Sequence, residues 1–285
     1  MNAARNLSQS YNDLSVSTRR LSSGLRVSTA ADDAAGLAIR ELMRSDIASL
    51  NQGVRNANDA ISLIQTADGA LGVIDEKLIR MKELAEQAST GTYTSDQRMI
   101  IDSEYQAMAS EITRIANATD FNGIYLLNGN LSSASHDGSG INATGKLKVH
   151  FGTGNASSED YYYIQIGNAT ASALGVGNQS IENAGYSIST QQGAQQALDA
   201  LNEAIVSKDK IRANLGALQN RLENTITNLT IQAENLQAAE SRISDVDVAQ
   251  EMTAFVRNQI LTQSAVAMLS QANSLPQMAM QLIQG

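Results

Sequence analysis

The sequence predicts a mainly α-helical protein in which the two arms of the chain form a long antiparallel coiled-coil helical rod, with a small β-rich central insert. Three observations lead there. Apolar residues recur every seven positions over two stretches: Leu50, Ala57, Ile64, Leu71, Leu78 and Ala85, then Ala194, Leu201, Leu215, Leu222, Leu229, Leu236 and Ile243. That period is the mark of helices packed side by side. Eleven of the twenty glycines, and both histidines, fall between 121 and 185, which sets the middle of the chain apart. Aromatic residues make up 4% of the 285 positions and Trp is absent, so the rings that usually fill a globular core are scarce.

The N-terminal arm opens with Leu7, Tyr11, Leu14, Leu21 and Leu25 at steps of three, four or seven. The stretch Gly24 to Gly36 interrupts this spacing and offers Ser28, Thr29, Asp32 and Asp33 as caps or turn-formers. A helix is predicted over 40–89, with Val54 and Ile61 on one side of the seam and Ile74, Met81 and Ala88 on the other. Ser89-Thr90-Gly91 ends it. A second helix is predicted over 95–118, carrying Met99, Ile101, Tyr105, Met108, Ile112 and Ile115.

The insert shows three β-type runs. Ile124 to Leu127 precedes Asn128-Gly129, a strong hairpin-turn pair; Leu147 to Phe151 and Tyr161 to Ile166 follow. Tyr161, Tyr162 and Tyr163 alternate faces on a strand, so at least one ring points outward. Helical periodicity resumes near 190, broken only by Lys208 in the seam, with Leu198, Ile205, Ile226 and Ala233 beside it. A last amphipathic segment covers 247–284 and holds the single proline, Pro276, which is expected to kink or end it. Each long seam must bury its stripe, and antiparallel pairing through the insert does this. The outermost segments, 1–25 and 247–284, are expected to be loose alone and to order on assembly.

Composition narrows the function. A net charge of −9 without a dense basic run argues against nucleic acid as the main partner. No stretch approaches the ~20 apolar residues that span a bilayer, and no charged-then-apolar secretory signal opens the chain. Without cysteine there is no disulfide or thiolate chemistry. Asp32 and Asp33 are adjacent and do not face each other on a helix, so they read as capping groups. Asp245 and Asp247 at a helix junction read the same way. His136 and His150 lack the partners of a zinc site. The Asn-x-Ser/Thr triplets at Asn142, Asn155 and Asn168 are not expected to carry N-linked sugar. The reading is no enzyme, no cofactor and no metal.

Several long motifs then stand in order. Leu21-Ser-Ser-Gly-Leu-Arg26, Ala31-Asp-Asp-Ala-Ala-Gly-Leu-Ala-Ile-Arg40, Gln65-Thr-Ala-Asp-Gly-Ala-Leu71 and Asp120-Phe-Asn-Gly123 occupy the first arm. Glu240-Ser-Arg-Ile-Ser-Asp-Val-Asp-Val-Ala249 and Gln271-Ala-Asn-Ser-Leu-Pro-Gln-Met278 occupy the second. Over about 1–128 and 185–285 the chain resembles bacterial flagellin, the subunit of the flagellar filament. The resemblance implies a structural protein that polymerises with copies of itself for motility, outside the cell as part of the flagellum. It implies export by the flagellar type III apparatus, an export chaperone, and hook-associated and cap proteins as further partners. It divides the chain into an inner terminal-helix part (1–35 and 247–285), a helical rod with a β-hairpin (36–128 and 185–246) and a variable exposed insert (129–184), where O-linked sugars are an expectation.

The heptads and the resemblance together assign residues. Leu50, Ile64, Leu71, Leu78, Leu201, Leu215, Leu222, Leu229 and Leu236 form the rod seam. Phe255, Val256, Ile260, Val266, Leu269 and Leu282 form an apolar tail for assembly and for the chaperone. Arg80, Leu84 and Glu111 form the surface that an innate immune Toll-like receptor would recognise, the first and last through charged hydrogen bonds and Leu84 through apolar contact. Family members usually begin upstream of the Met-Asn-Ala-Ala-Arg-Asn-Leu stretch found here, so the start is expected to be truncated or set at an internal Met. A hook–filament junction protein is the nearest rival, and a coiled-coil scaffold or adhesin the next.

Overall fold

The structure, a computed structural model, describes residues 2–140, 144–157, 159–177 and 187–284, leaving aside the side chains of 2, 3, 273 and 275–284. Asn142, the 184–185 boundary and the side chain of Leu282 lie outside the described residues. Among the described residues, five helices and six short strands follow in the order α1 (Asn2–Ser23), α2 (Ala34–Ser89), α3 (Ser95–Ala118), β1 (Asp120–Phe121), β2 (Ile124–Tyr125), β3 (His136–Asp137), β4 (Thr144–Gly145), β5 (Leu147–His150), β6 (Tyr161–Ile164), α4 (Gln191–Ser244) and α5 (Val248–Gln284). The chain divides into two compact units, 1–48 with 232–285 and 49–231. The described residues of 129–177 fall in the second unit, where β5 and β6 dock on its helices.

In the first unit α1 and α5 pack together. Gly24 ends α1 in the left-handed region (φ 70°), its amide donating to the Arg20 carbonyl at 2.9 Å. The chain then pairs with the α4–α5 junction. Leu25 bridges Asp245, the Arg26 amide donates to Ser244 O (2.6 Å), and the Val246 amide donates to Gly24 O (3.0 Å). The Asp33 carboxylate accepts from the Gly36 amide at 2.9 Å and caps α2, which is why α2 begins at Ala34 and not at 40 as the apolar spacing implied. Asp247 caps α5 in the same way, accepting from the Ala249 and Gln250 amides. Helix α5 continues through Pro276 to Gln284, so the expected end at the proline does not occur.

The second unit holds the rod seam. Leu50, Ile64, Leu71, Leu78, Leu201, Leu215, Leu222 and Leu229 are all buried, with Ala57, Ile74, Met81, Ala85 and Ala88 beside them. Leu236, which belongs to the first unit, is only half-buried. Arg212 pairs with Asp68 at 2.7 Å and Lys208 with Asp75 at 2.6 Å. Rising along α4 thus means descending along α2, so the two helices run antiparallel. Helix α3 folds back on α2, with Arg80 on Glu104 (2.8 Å) and Arg98 Nε on Ala88 O (2.9 Å). A capping box, Thr94 with Gln97, starts α3 where the sequence placed it.

The first hairpin differs from expectation. β1 and β2 pair through Asn122-Gly123, both at positive φ (52° and 79°), rather than through Asn128-Gly129. Two consecutive positive φ values make this the twisted turn that suits a right-handed strand pair. β3 pairs with β4, and β5 with β6 in the register Leu147↔Ile164 to His150↔Tyr161. Tyr162 faces the helices, its ring under the Arg221 guanidinium at 3.5 Å, and Asn56 Nδ2 donates to His150 O at 2.8 Å.

Candidate assembly surfaces

The α1–α5 pair is built on a heptad of small and apolar residues. Along α1 the side turned inward reads Leu7, Ser10, Leu14, Ser17 and Leu21; Tyr11, which the spacing offered as a seam residue, is exposed. Along α5 the side turned inward reads Ala254, Phe255, Asn258, Thr262, Ala265 and Leu269. Two of those six are polar, and Thr262 satisfies its hydroxyl on Asn258 O at 2.7 Å.

The outward side of α5 carries large apolar residues among Thr253, Arg257, Gln259, Gln263 and Ser264. Val256, Ile260 (57% exposed) and Val266, three residues of the expected tail, lie there together with Met252, Leu261 and Met268 (66% exposed). Phe255 and Leu269 are half-buried instead. A solvated surface helix keeps its large apolar groups on the inward face. Met252, Val256 and Ile260 recur at steps of four, and Leu261 and Met268 at a step of seven, so the exposed groups form continuous stripes. In the same unit Ile39 and Leu42 (67% exposed) add apolar surface at the start of α2. Uncovered stripes of this kind mark an interaction surface.

The three residues assigned to receptor recognition do not share one environment. Arg80 is exposed and ion-paired with Glu83 (2.9 Å) and Glu104 (2.8 Å). Glu111 is partly exposed and held by Arg114 at 2.7 Å. Leu84 is 2% exposed and belongs to the core, so it cannot offer an apolar surface contact without opening the helices. Its spacing gave the signal, since Met81, Leu84 and Ala88 follow the buried i, i+3, i+7 line.

Asp32 anchors the turn between α1 and α2. Its carboxylate accepts from the Ser28 and Thr29 amides and hydroxyls, and from Arg19 at 2.6 Å. Burial alone would raise its pKa, but the Thr29 and Ser28 hydrogen bonds outweigh that and bring it from 3.8 to about 2. A depressed pKa means stability that is present above the unfolded value and lost as the pH falls through the folded one. Asp32→Asn is therefore expected to lose about 2 kcal/mol at neutral pH and to flatten the acid-unfolding profile between about pH 4 and 2. Circular dichroism against pH checks this; identical acid profiles for the two proteins would refute it.

Among the described residues no three His, Cys, Asp or Glu side chains gather as a metal site, and no helix is long and apolar enough to cross a membrane. Comparison with known proteins gives a consistent pattern. Residues 1–132 match the bacterial flagellin N-terminal helical region and residues 198–283 the bacterial flagellin C-terminal helical region. The chain is 42% identical over 286 residues to the flagellar filament 33 kDa core protein of Treponema phagedenis, covering 99% of this chain and 96% of that one. It is 42% identical over 283 residues to a flagellin of Halalkalibacterium halodurans, again covering 99% and 96%. A Vibrio parahaemolyticus structure described as flagellar hook-associated shares the fold, with a TM-score of 0.57 at 14% identity over 75% of this chain and all of that one.

Proposed function

Because the chain belongs to the bacterial flagellin family, whose members are structural filament subunits and not enzymes, we propose that its copies polymerise through the outward apolar stripes of α5. The bare apolar residues of that helix carry the proposal. Six large apolar residues, Met252, Val256, Ile260, Leu261, Val266 and Met268, face solvent while Asn258 and Thr262 face inward. Covering them with a second copy removes apolar surface from water at roughly 25 cal/mol per Å². A heterologous contact of this kind generates an open helical filament. In this reading 1–35 and 247–285 enter the filament core, 36–128 and 185–246 serve as the rod and 129–184 is the exposed variable part.

The test is elongation of sheared filament fragments, followed by electron microscopy. The full chain is expected to add to the seeds. Ile260→Asp is expected to abolish addition while moving the unfolding free energy of the monomer by no more than about 0.5 kcal/mol, since the residue is exposed. Elongation by Ile260→Asp at the rate of the unaltered chain would sink the proposal. The hook–filament junction reading makes a different forecast, a chain scarce in sheared filaments. The filament reading has the better support, because its relatives match at 42% over nearly full length.

The same surface supports the remaining partners. An exported subunit with bare apolar stripes needs a chaperone before export, and passage through the flagellar type III apparatus to the outside of the cell belongs to this proposal. So do contacts with cap and hook-associated proteins at the filament ends. Recognition by a Toll-like receptor rests on Arg80 and Glu111 without Leu84. Unchanged receptor-reporter activation by Arg80→Ala would remove it.

A further inference from the structure

We propose that the outward face of the β5–β6 hairpin binds an anionic polysaccharide. The strand alternation sorts the side chains of this hairpin cleanly. Val149 and Ile164 are buried, and Tyr162 meets Phe151 edge-on at 4.6 Å and Arg221 at 3.5 Å on the helix side. The other face carries Lys148, His150, Tyr161 and Tyr163, with Lys146 just ahead of β5 and His136 from β3 beside them. Both histidines and two of the six lysines of an acidic chain are thus gathered on one small surface.

The arrangement is ordered. The Tyr161 and Tyr163 rings meet edge-on at 5.4 Å. The Lys148 ammonium lies 3.6 Å from the centre of Tyr161 and the Lys146 ammonium 4.3 Å from that of Tyr163. His150 stacks on Tyr161 at 5.9 Å and His136 lies 5.4 Å from Tyr163. Lys146, Lys148 and His150 are two residues apart, which on an extended strand places them in a row at steps of about 7 Å. The rings hold the two lysine ammonium groups in place, so a ligand need not immobilise them. Three carboxylates border this face, and two of them also interact electrostatically with its histidines, Asp160 with His150 and Asp137 with His136. Asp160 accepts from the Gly154 and Ala156 amides, and Asp137 from the Ser139 amide and hydroxyl; Glu159 is exposed on the neighbouring loop.

A row of two lysine ammonium groups and an imidazole beside aromatic edges fits a linear chain of sugar rings bearing sulfate or carboxylate groups. Duplex nucleic acid fits it less well. Three nitrogen groups contact too few phosphates to offset the repulsion of a chain at −9.

Titration calorimetry on the full chain at low ionic strength tests the site, with heparin oligosaccharides and oligogalacturonate as separate probes. At least one probe is expected to bind, and the preferred one tells sulfate from carboxylate recognition. The double variant Lys146→Gln/Lys148→Gln is expected to bind about tenfold or more weakly, with an unchanged circular dichroism spectrum. A control pair on α2, Lys77→Gln/Lys82→Gln, is expected to bind as the unaltered chain does. The proposal is overturned if neither probe binds, if the double variant binds normally, if the control pair loses as much, or if duplex DNA binds more tightly than both saccharides.

Discussion

Asp75→Ala is expected to destabilise the folded chain by about 2–3 kcal/mol, whereas Lys208→Met is expected to leave it unchanged or make it more stable. Lys208 occupies a seam position between Leu201 and Leu215 and is only 2% exposed. Its ammonium touches Asp75 at 2.6 Å and Asp209 at 2.7 Å. Removing Asp75 leaves a buried charge with a single, largely solvated partner, which is the costly way to break such a pair. Replacing the lysine by an unbranched apolar side chain of similar length removes the charge and fills the seam.

What the pair supplies is register. Sliding α4 by one heptad in one direction sets Lys208 against Lys82; in the other, Arg212 loses Asp68 for Ile61. Only the observed alignment satisfies Lys208–Asp75 and Arg212–Asp68 together. Urea unfolding of both variants checks the asymmetry. Equal losses for Asp75→Ala and Lys208→Met would show that the ion pair acts through stability after all.

Gly53→Ala is expected to cost about 2–3 kcal/mol, although the same change in an exposed helix gains about 1 kcal/mol. A Cβ on Gly53 would land on the Phe151 carbonyl oxygen, inside van der Waals contact and against backbone that cannot rotate away. The contact lies one turn from Asn56, whose amide donates to His150 O. Gly72 supplies the contrast, with nothing within 4 Å of its notional Cβ. Gly72→Ala is therefore expected to stabilise the monomer by up to about 1 kcal/mol. Thermal unfolding gives the sign of each change, and limited proteolysis reports on the hairpin. If both alanines stabilise, β5 is not seated on α2 as described.

The heptads made the two long helices legible, because burial of a stripe is the one demand that every seventh residue can express. Helix α3 covers the expected 95–118, and its start is fixed by a local capping box of Thr94 and Gln97 that needs no tertiary partner. The start of α2 was not legible. It is set by Asp33 rather than by an apolar residue, and apolar spacing begins only later. The misplaced hairpin turned on two Asn-Gly pairs. Asn122-Gly123 has Phe121 and Ile124 to pair across it and Asp120 to accept from the Gly123 amide, whereas Asn128-Gly129 is followed by no apolar run. Of the surfaces, the tail residues were legible as amphipathic, but the polarity of α5 was not. Which of its faces turns inward depends on the Ser10 and Ser17 side of α1, more than two hundred residues away in sequence.

The junction of Leu25 and Arg26 with Ser244 to Val246 has a mechanical consequence. Two backbone hydrogen bonds and the Arg26 guanidinium on Ile243 O (2.8 Å) tie the chain to itself there, so residues 26–244 form a closed loop. The segments outside the tie, α1 and α5, meet the loop at this tie and at the Arg19–Asp32 ion pair. Tension drawn along those two helices therefore converges on a few polar bonds before any seam leucine is loaded. Under pulling, the tie is the fuse: it is expected to yield first and to let α1 and α5 strain while the looped part stays folded.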